Sequence, residues 1–226
     1  MKTIALFAVM LFAGSALGQA ILLDGVYLAK QGDINMLLLA KNGYGSMITY
    51  KDDAYLSTKG GPYTFDGTSL NVTWEYDDEN SAAVGTQTTY PASFANGALH
   101  IEGVAFKKQA AKEQGLDAVW RITGRQNAEG AINSIPRGDR KTIKILVDGY
   151  FQWIAINPAT KGFYGTGGGK YSFVNRQYTE NIVFFSRDNS RVGAKLNFQG
   201  EIKDGAWHHS GLSSKGDPIY EVWSVD

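Results

Sequence analysis

The chain carries one pattern twice. Thr58, Gly60, Gly61, Tyr63, Phe65, Val84, Gly85, Gly97, Ala98, His100 and Gly103 recur without a gap as Thr166, Gly168, Gly169, Tyr171, Phe173, Val192, Gly193, Gly205, Ala206, His208 and Gly211, a shift of 108. Looser echoes lie upstream: Leu23-Asp24-Gly25-Val26-Tyr27 returns as Leu116-Asp117-Ala118-Val119-Trp120, and Asn42-Gly43-Tyr44 as Asp148-Gly149-Tyr150. A repeat that spans nearly the whole chain restricts the fold to two copies of one small unit. The expected division is residues 1–20 as a leader, 21–106 as the first copy, 107–115 as a linker and 116–226 as the second copy.

The first twenty residues have the three parts of a secretory signal: Lys2, the apolar run Ile4 to Ala13, and small residues Ala16-Leu17-Gly18 before a cleavage point after Gly18 or Ala20. A spanning helix needs roughly 20 apolar residues, and Gly14, Ser15 and Gly18 interrupt this run. The expectation is a secreted or periplasmic protein with no stable membrane insertion. There are no cysteines, so neither disulfides nor thiolate metal sites are available. Basic and acidic residues both number 22 and are not blocked together, which argues against nucleic acid as a partner.

Short runs rich in β-branched and aromatic residues recur: Val26 to Lys30, Met36 to Lys41, Ser46 to Tyr50, Leu70 to Tyr76 and Ala98 to Ala105 in the first copy. Thr142 to Val147, Gln152 to Ile156, Tyr178 to Phe185, Gly193 to Phe198 and Ile219 to Trp223 follow in the second. Asn42-Gly43, Asp66-Gly67, Asn96-Gly97, Asp148-Gly149 and Asp204-Gly205 separate them, and such pairs accept the positive φ of tight hairpin turns. Lys107 to Gln114 leans toward helix, and the polar insertion Gln126 to Gly138 reads as a long loop. The pattern predicts an all-β chain of two tandem antiparallel up-and-down barrels.

Each copy opens on Gly25-Val26-Tyr27 or Ala118-Val119-Trp120, and the second closes on Tyr220-Glu221-Val222-Trp223; these features resemble lipocalin-like, or calycin-like, barrels. Gly165 to Tyr171, Tyr178-Thr179-Glu180-Asn181 and Phe184 to Asp188 are similar to a family of uncharacterised secreted lipocalin-like proteins of Bacteroidetes-type bacteria. The resemblance is close over the second copy and loose over the first. It implies a ligand-holding barrel in an exported protein and brings no activity with it.

Alternation along a strand lets the copies be compared face by face. Leu70, Val72, Trp74 and Tyr76 match Tyr178, Glu180, Ile182 and Phe184; Leu99 and Ile101 match Trp207 and His209. Glu180 and His209 thus stand where the first copy is apolar, and Gln152 shares a face with Ile154 and Ile156 as a third polar candidate. A buried carboxylate needs a partner, here His209, Arg121 or a bound molecule. These residues predict a first barrel packed solid and a second barrel whose cavity binds a small, partly polar molecule through Glu180, His209 and Gln152 among Tyr178, Phe184 and Trp207.

His208 and His209 point to opposite faces and cannot chelate one ion together. Gly165 to Gly169 continues into strand rather than a helix, unlike a phosphate loop. The acidic run Asp77-Asp78-Glu79 lacks calcium-ligand spacing. No metal or cofactor is expected. Nucleophilic catalysis has no apparatus here: no thiol, no Gly-x-Ser-x-Gly, and three histidines. The leading expectation is a non-enzymatic binding protein. Two alternatives are a surface interaction module for protein or glycan with both barrels solid, and a small hydrolase or isomerase using Glu180 and His209 as acid and base.

Overall fold

In a computed structural model, which describes residues 21–213 and 216–226, the chain forms two closed antiparallel barrels in tandem. The proposed leader lies outside the described residues. The first barrel consists of β1 (Gly25–Gln31), β2 (Ile34–Lys41), β3 (Tyr44–Lys51), β4 (Ala54–Phe65), β5 (Ser69–Thr73), β6 (Tyr76–Asp77), β7 (Gln87–Ala95), β8 (Ala98–Ile101) and β9 (Val104–Lys108). The second consists of β10 (Ala118–Gln126), β11 (Ile132–Ser134), β12 (Lys141–Val147), β13 (Tyr150–Asn157), β14 (Gly162–Val174), β15 (Gln177–Phe185), β16 (Lys195–Lys203), β17 (Ala206–Leu212) and β18 (Pro218–Val225). Most strands pair with the next in the chain; β6 pairs instead with β4 while β5 passes over it to β7, β11 lies on β10 while β12 pairs with β10 as well, and pairing of β1 with β9 and of β10 with β18 closes the two circuits. Closure leaves no long unpaired edge.

The duplication is visible in three dimensions. The one-turn helices Ser81–Ala83 and Asn189–Arg191 sit 108 residues apart, as do the starts of β4 and β14, β7 and β16, and β8 and β17. Tyr27 and Trp120, the opening aromatics, are buried and make the same bond: each ring donates to the backbone carbonyl four residues earlier, Leu23 at 3.0 Å and Leu116 at 2.8 Å. The repeated Gly-Gly pair marks a sharp bend. A side chain on Gly61 would strike the Thr73 carbonyl, and one on Gly169, where φ is +157°, would strike that of Asn181. Only a residue without Cβ lets the two strands approach so closely.

Three segments differ from their sequence reading. Ala98 to Ala105 is a hairpin, β8 and β9, turning at Glu102 (φ 49°) and Gly103 (φ 82°). Lys107 and Gln114 bracket no helix: Lys107 and Lys108 pair with β1, and Lys112 follows in an irregular segment tied to Asp148 through a 2.9 Å backbone-to-carboxylate bond. An eight-residue helix without a packed face is too short to hold itself. The Gln126 to Gly138 insertion contributes β11, which extends β10 as a ribbon.

The barrels share a core. Val26, Leu37, Leu39, Ile48 and Tyr76 pack against Ile143, Ile145, Val147, Ile154, Ile156 and Phe184. β2 and β12 are therefore buried on both faces, one toward their own lumen and one toward the neighbouring barrel. The contact is pseudo-symmetric: Tyr76 stacks on Phe163 at 6.5 Å, and Phe184 lies 6.4 Å from Tyr55, each pair being the other shifted by 108. The same patch of each copy meets the other, as in a two-fold dimer.

Candidate functional site

Large aromatic and charged side chains crowd the interior of the second barrel. Tyr178, Glu180, Trp207 and His209 all point inward and are buried, and they touch one another: the Tyr178 and Trp207 rings are 5.0 Å apart and Tyr178 and His209 5.5 Å apart. Lys144, which the sequence comparison passed over, completes the cluster. Its ammonium donates to Glu180 Oε1 at 2.9 Å and lies 5.1–5.9 Å from the ring centres of Phe151, Tyr178, Trp207 and Trp223. The Tyr178 hydroxyl donates to the same carboxylate oxygen at 2.9 Å.

Glu221 stands across β17 and β18 from His209, 3.6 Å from its Nδ1, and takes a 2.6 Å ion pair from Arg125 at the rim. Burial works to raise the Glu221 carboxyl, but His209, Lys144 and Arg125 outweigh it and hold it at about 2. Burial dominates at His209 and lowers it, so the ring is neutral. Two cations, Lys144 and Arg125, thus offset two carboxylates. Arg121, a candidate partner of Glu180, instead reaches the Gly138 carbonyl and, at 3.7 Å, Asp226.

Two predicted members leave this lumen. β15 steps out of register opposite Gly168 and Gly169, skipping Val183, so Ile182 faces the lumen while Phe184 turns to the inter-barrel core. Gln152 also sits between the barrels, fully buried, donating from Nε2 to Thr58 at 3.1 Å and Thr166 at 3.0 Å. With Ser46 and Tyr76, whose hydroxyls are 2.6 Å apart, it forms a polar lock in an otherwise aliphatic contact. Gln152 and Phe184 are therefore corrected from lumen wall to interface.

A cavity lies in the first barrel, which the sequence reading expects to be packed solid. About 280 Å³ is open among Met36, Leu38, Leu70, Val72, Trp74, Ile101 and neighbouring side chains. Pairing identifies the matching positions, since Tyr27 faces Leu38 where Trp120 faces Lys144, and Ile101 faces Val104 where His209 faces Glu221. Leu38, Val72, Ile101 and Val104 line the cavity; their counterparts are the charged or polar Lys144, Glu180, His209 and Glu221. Side-chain size differs as well. Leu70, Leu99 and Phe106 become Tyr178, Trp207 and Trp223, larger groups that occupy more of the second lumen.

One end of each barrel shows the same contrast. In the second, Trp153 and Phe185 meet edge-to-face at 5.6 Å over Gly167, where a side chain would collide with both rings. In the first, Met47, Asp77 and Lys59 occupy these positions, and all three border the cavity. Lys59 lies 5.0 Å from the Trp74 ring centre and 6.0 Å from that of Tyr90, and no carboxylate comes within 4 Å of it among the described residues. No known protein family and no curated protein matches the chain, so the case for function rests on this geometry.

Proposed function

We propose that the protein is an exported binding protein of lipocalin-like design, and that it holds a small, mainly apolar molecule in the first barrel. The observation that carries this reading is the space of about 280 Å³ lined mainly by aliphatic and aromatic side chains, just under the roughly 300 Å³ at which ligand pockets begin. The second barrel is a scaffold, its charges matched internally and its surface joined to the first. Export is supported by the leader-like composition of residues 1–20. Binding is favoured over acid–base catalysis because Glu180 and His209 are sealed against Lys144, Tyr178, Phe198 and Glu221, where a substrate would have to displace the core.

Titration of lipid-stripped protein with the apolar fluorophore N-phenyl-1-naphthylamine tests this. Saturable binding that Leu38→Trp abolishes and Trp153→Leu leaves intact is expected. No binding, or binding insensitive to Leu38→Trp, overturns the reading.

A further inference from the structure

The charged end of the cavity says more about the guest. Barrels of this repeat can close that end with two rings, as the second does with Trp153 and Phe185 over Gly167. The first places a lysine at the glycine position and an aspartate at the phenylalanine position. Lys59 is half-buried, borders the cavity, and rests its ammonium on Trp74 and Tyr90 rather than on a carboxylate. Its cross-strand neighbour Asp77 is engaged, its Oδ1 accepting from the backbone amides of Glu79 at 3.1 Å and Asn80 at 2.8 Å. Thr49 and Ser57 add a hydroxyl pair, 2.6 Å apart, on the same wall.

We infer that the first barrel takes an amphiphile with a single anionic headgroup, the tail lying among Leu38, Val72 and Ile101 and the headgroup meeting Lys59. This rests on the binding reading above. A cation over aromatic rings keeps its charge while remaining available, because the ring faces offer no proton acceptor to compete with an incoming anion. A cationic guest would have to expel Lys59 from the rings it already occupies. The cavity is about 280 Å³, small enough that a short apolar tail suits it.

Displacement of N-phenyl-1-naphthylamine by octanoate, octanol and octylamine provides the test. Octanoate should compete at a concentration about ten-fold or more below octanol, the usual effect of one charge-assisted contact. Lys59→Met should erase that advantage without changing octanol, and Lys59→Arg should keep it. Equal competition by octanol and octanoate in the unaltered protein, or an octanoate advantage that survives Lys59→Met, overturns the inference and leaves the binding reading standing. Preference for octylamine also overturns it, assigning the headgroup to Asp77, Glu79 or Glu102. Failure of all three compounds and of the fluorophore to bind sinks both.

Discussion

Replacing Lys144 by methionine removes the cation paired with Glu180 and leaves that carboxylate, 4 % exposed, with the Tyr178 hydroxyl as its one remaining hydrogen-bond partner among the described residues. Orphaning one member of a buried pair costs about 3–5 kcal/mol. Glu180→Leu should cost less, because Lys144 keeps its ring faces, which recover on the order of 1–2 kcal/mol for a desolvated cation. Combining Lys144→Met, Glu180→Leu and Tyr178→Phe removes both charges and the hydroxyl that served them. The triple variant should return to within about 1–2 kcal/mol of the parent, since apolar replacement of a buried pair is often neutral. Urea unfolding followed by tryptophan fluorescence, with midpoints compared at equal slope, measures each. A Lys144→Met cost under about 1 kcal/mol, or a triple variant as damaged as the sum of its parts, refutes the sealed, self-neutralised lumen.

Acidification should destabilise the protein in two stages with the same sign. His209 is lowered from 6.5 in the fold, so below that pH the unfolded chain takes up a proton that the folded chain resists. Glu221 is held at about 2 against 4.5, so its contribution is intact above pH 4.5 and fades as pH falls toward 2, on the order of 3 kcal/mol in all. Urea midpoints from pH 7 to pH 3 should fall, more gently in Glu221→Gln; a flat or rising profile contradicts the assignment. Gly61→Ala should destabilise by more than about 3 kcal/mol, since its Cβ has no place beside the Thr73 carbonyl; a thermal melt within a degree of the parent refutes that. Gln152→Leu severs the lock to Thr58 and Thr166 but also removes Oε1, which has no protein partner among the described residues, so a loss of only about 1 kcal/mol is expected by urea titration.

The repeat and its turn residues made the two barrels legible, because Asn-Gly and Asp-Gly pairs and a gap-free shift of 108 report backbone geometry directly. The inter-barrel contact had a signal that alternation alone obscured: Leu37-Leu38-Leu39-Ala40 and Ile143, Ile145 and Leu146 around Lys144 are runs buried on both faces, whereas a barrel strand facing water would alternate. Alternation does not place Phe184, because the irregularity opposite Gly168 and Gly169 inverts the face after Ile182, as the break between β5 and β6 does for Tyr76. Lys144 was missed because its segment aligns with Leu38 only once a gap is allowed. The space in the first barrel is not legible from polarity, because an apolar lining says nothing of how completely it is packed. Side-chain volume carries that information: Trp120, Trp153, Trp207 and Trp223 stand where the first copy has the smaller Tyr27, Met47, Leu99 and Phe106.

Crystals of the protein pressurised with xenon offer the most direct measurement, because xenon enters apolar cavities without any requirement for a natural ligand. Xenon density among Leu38, Val72, Trp74 and Ile101, with none between Lys144 and His209, is the predicted result. A first barrel that excludes xenon, or a second that admits it, contradicts the account.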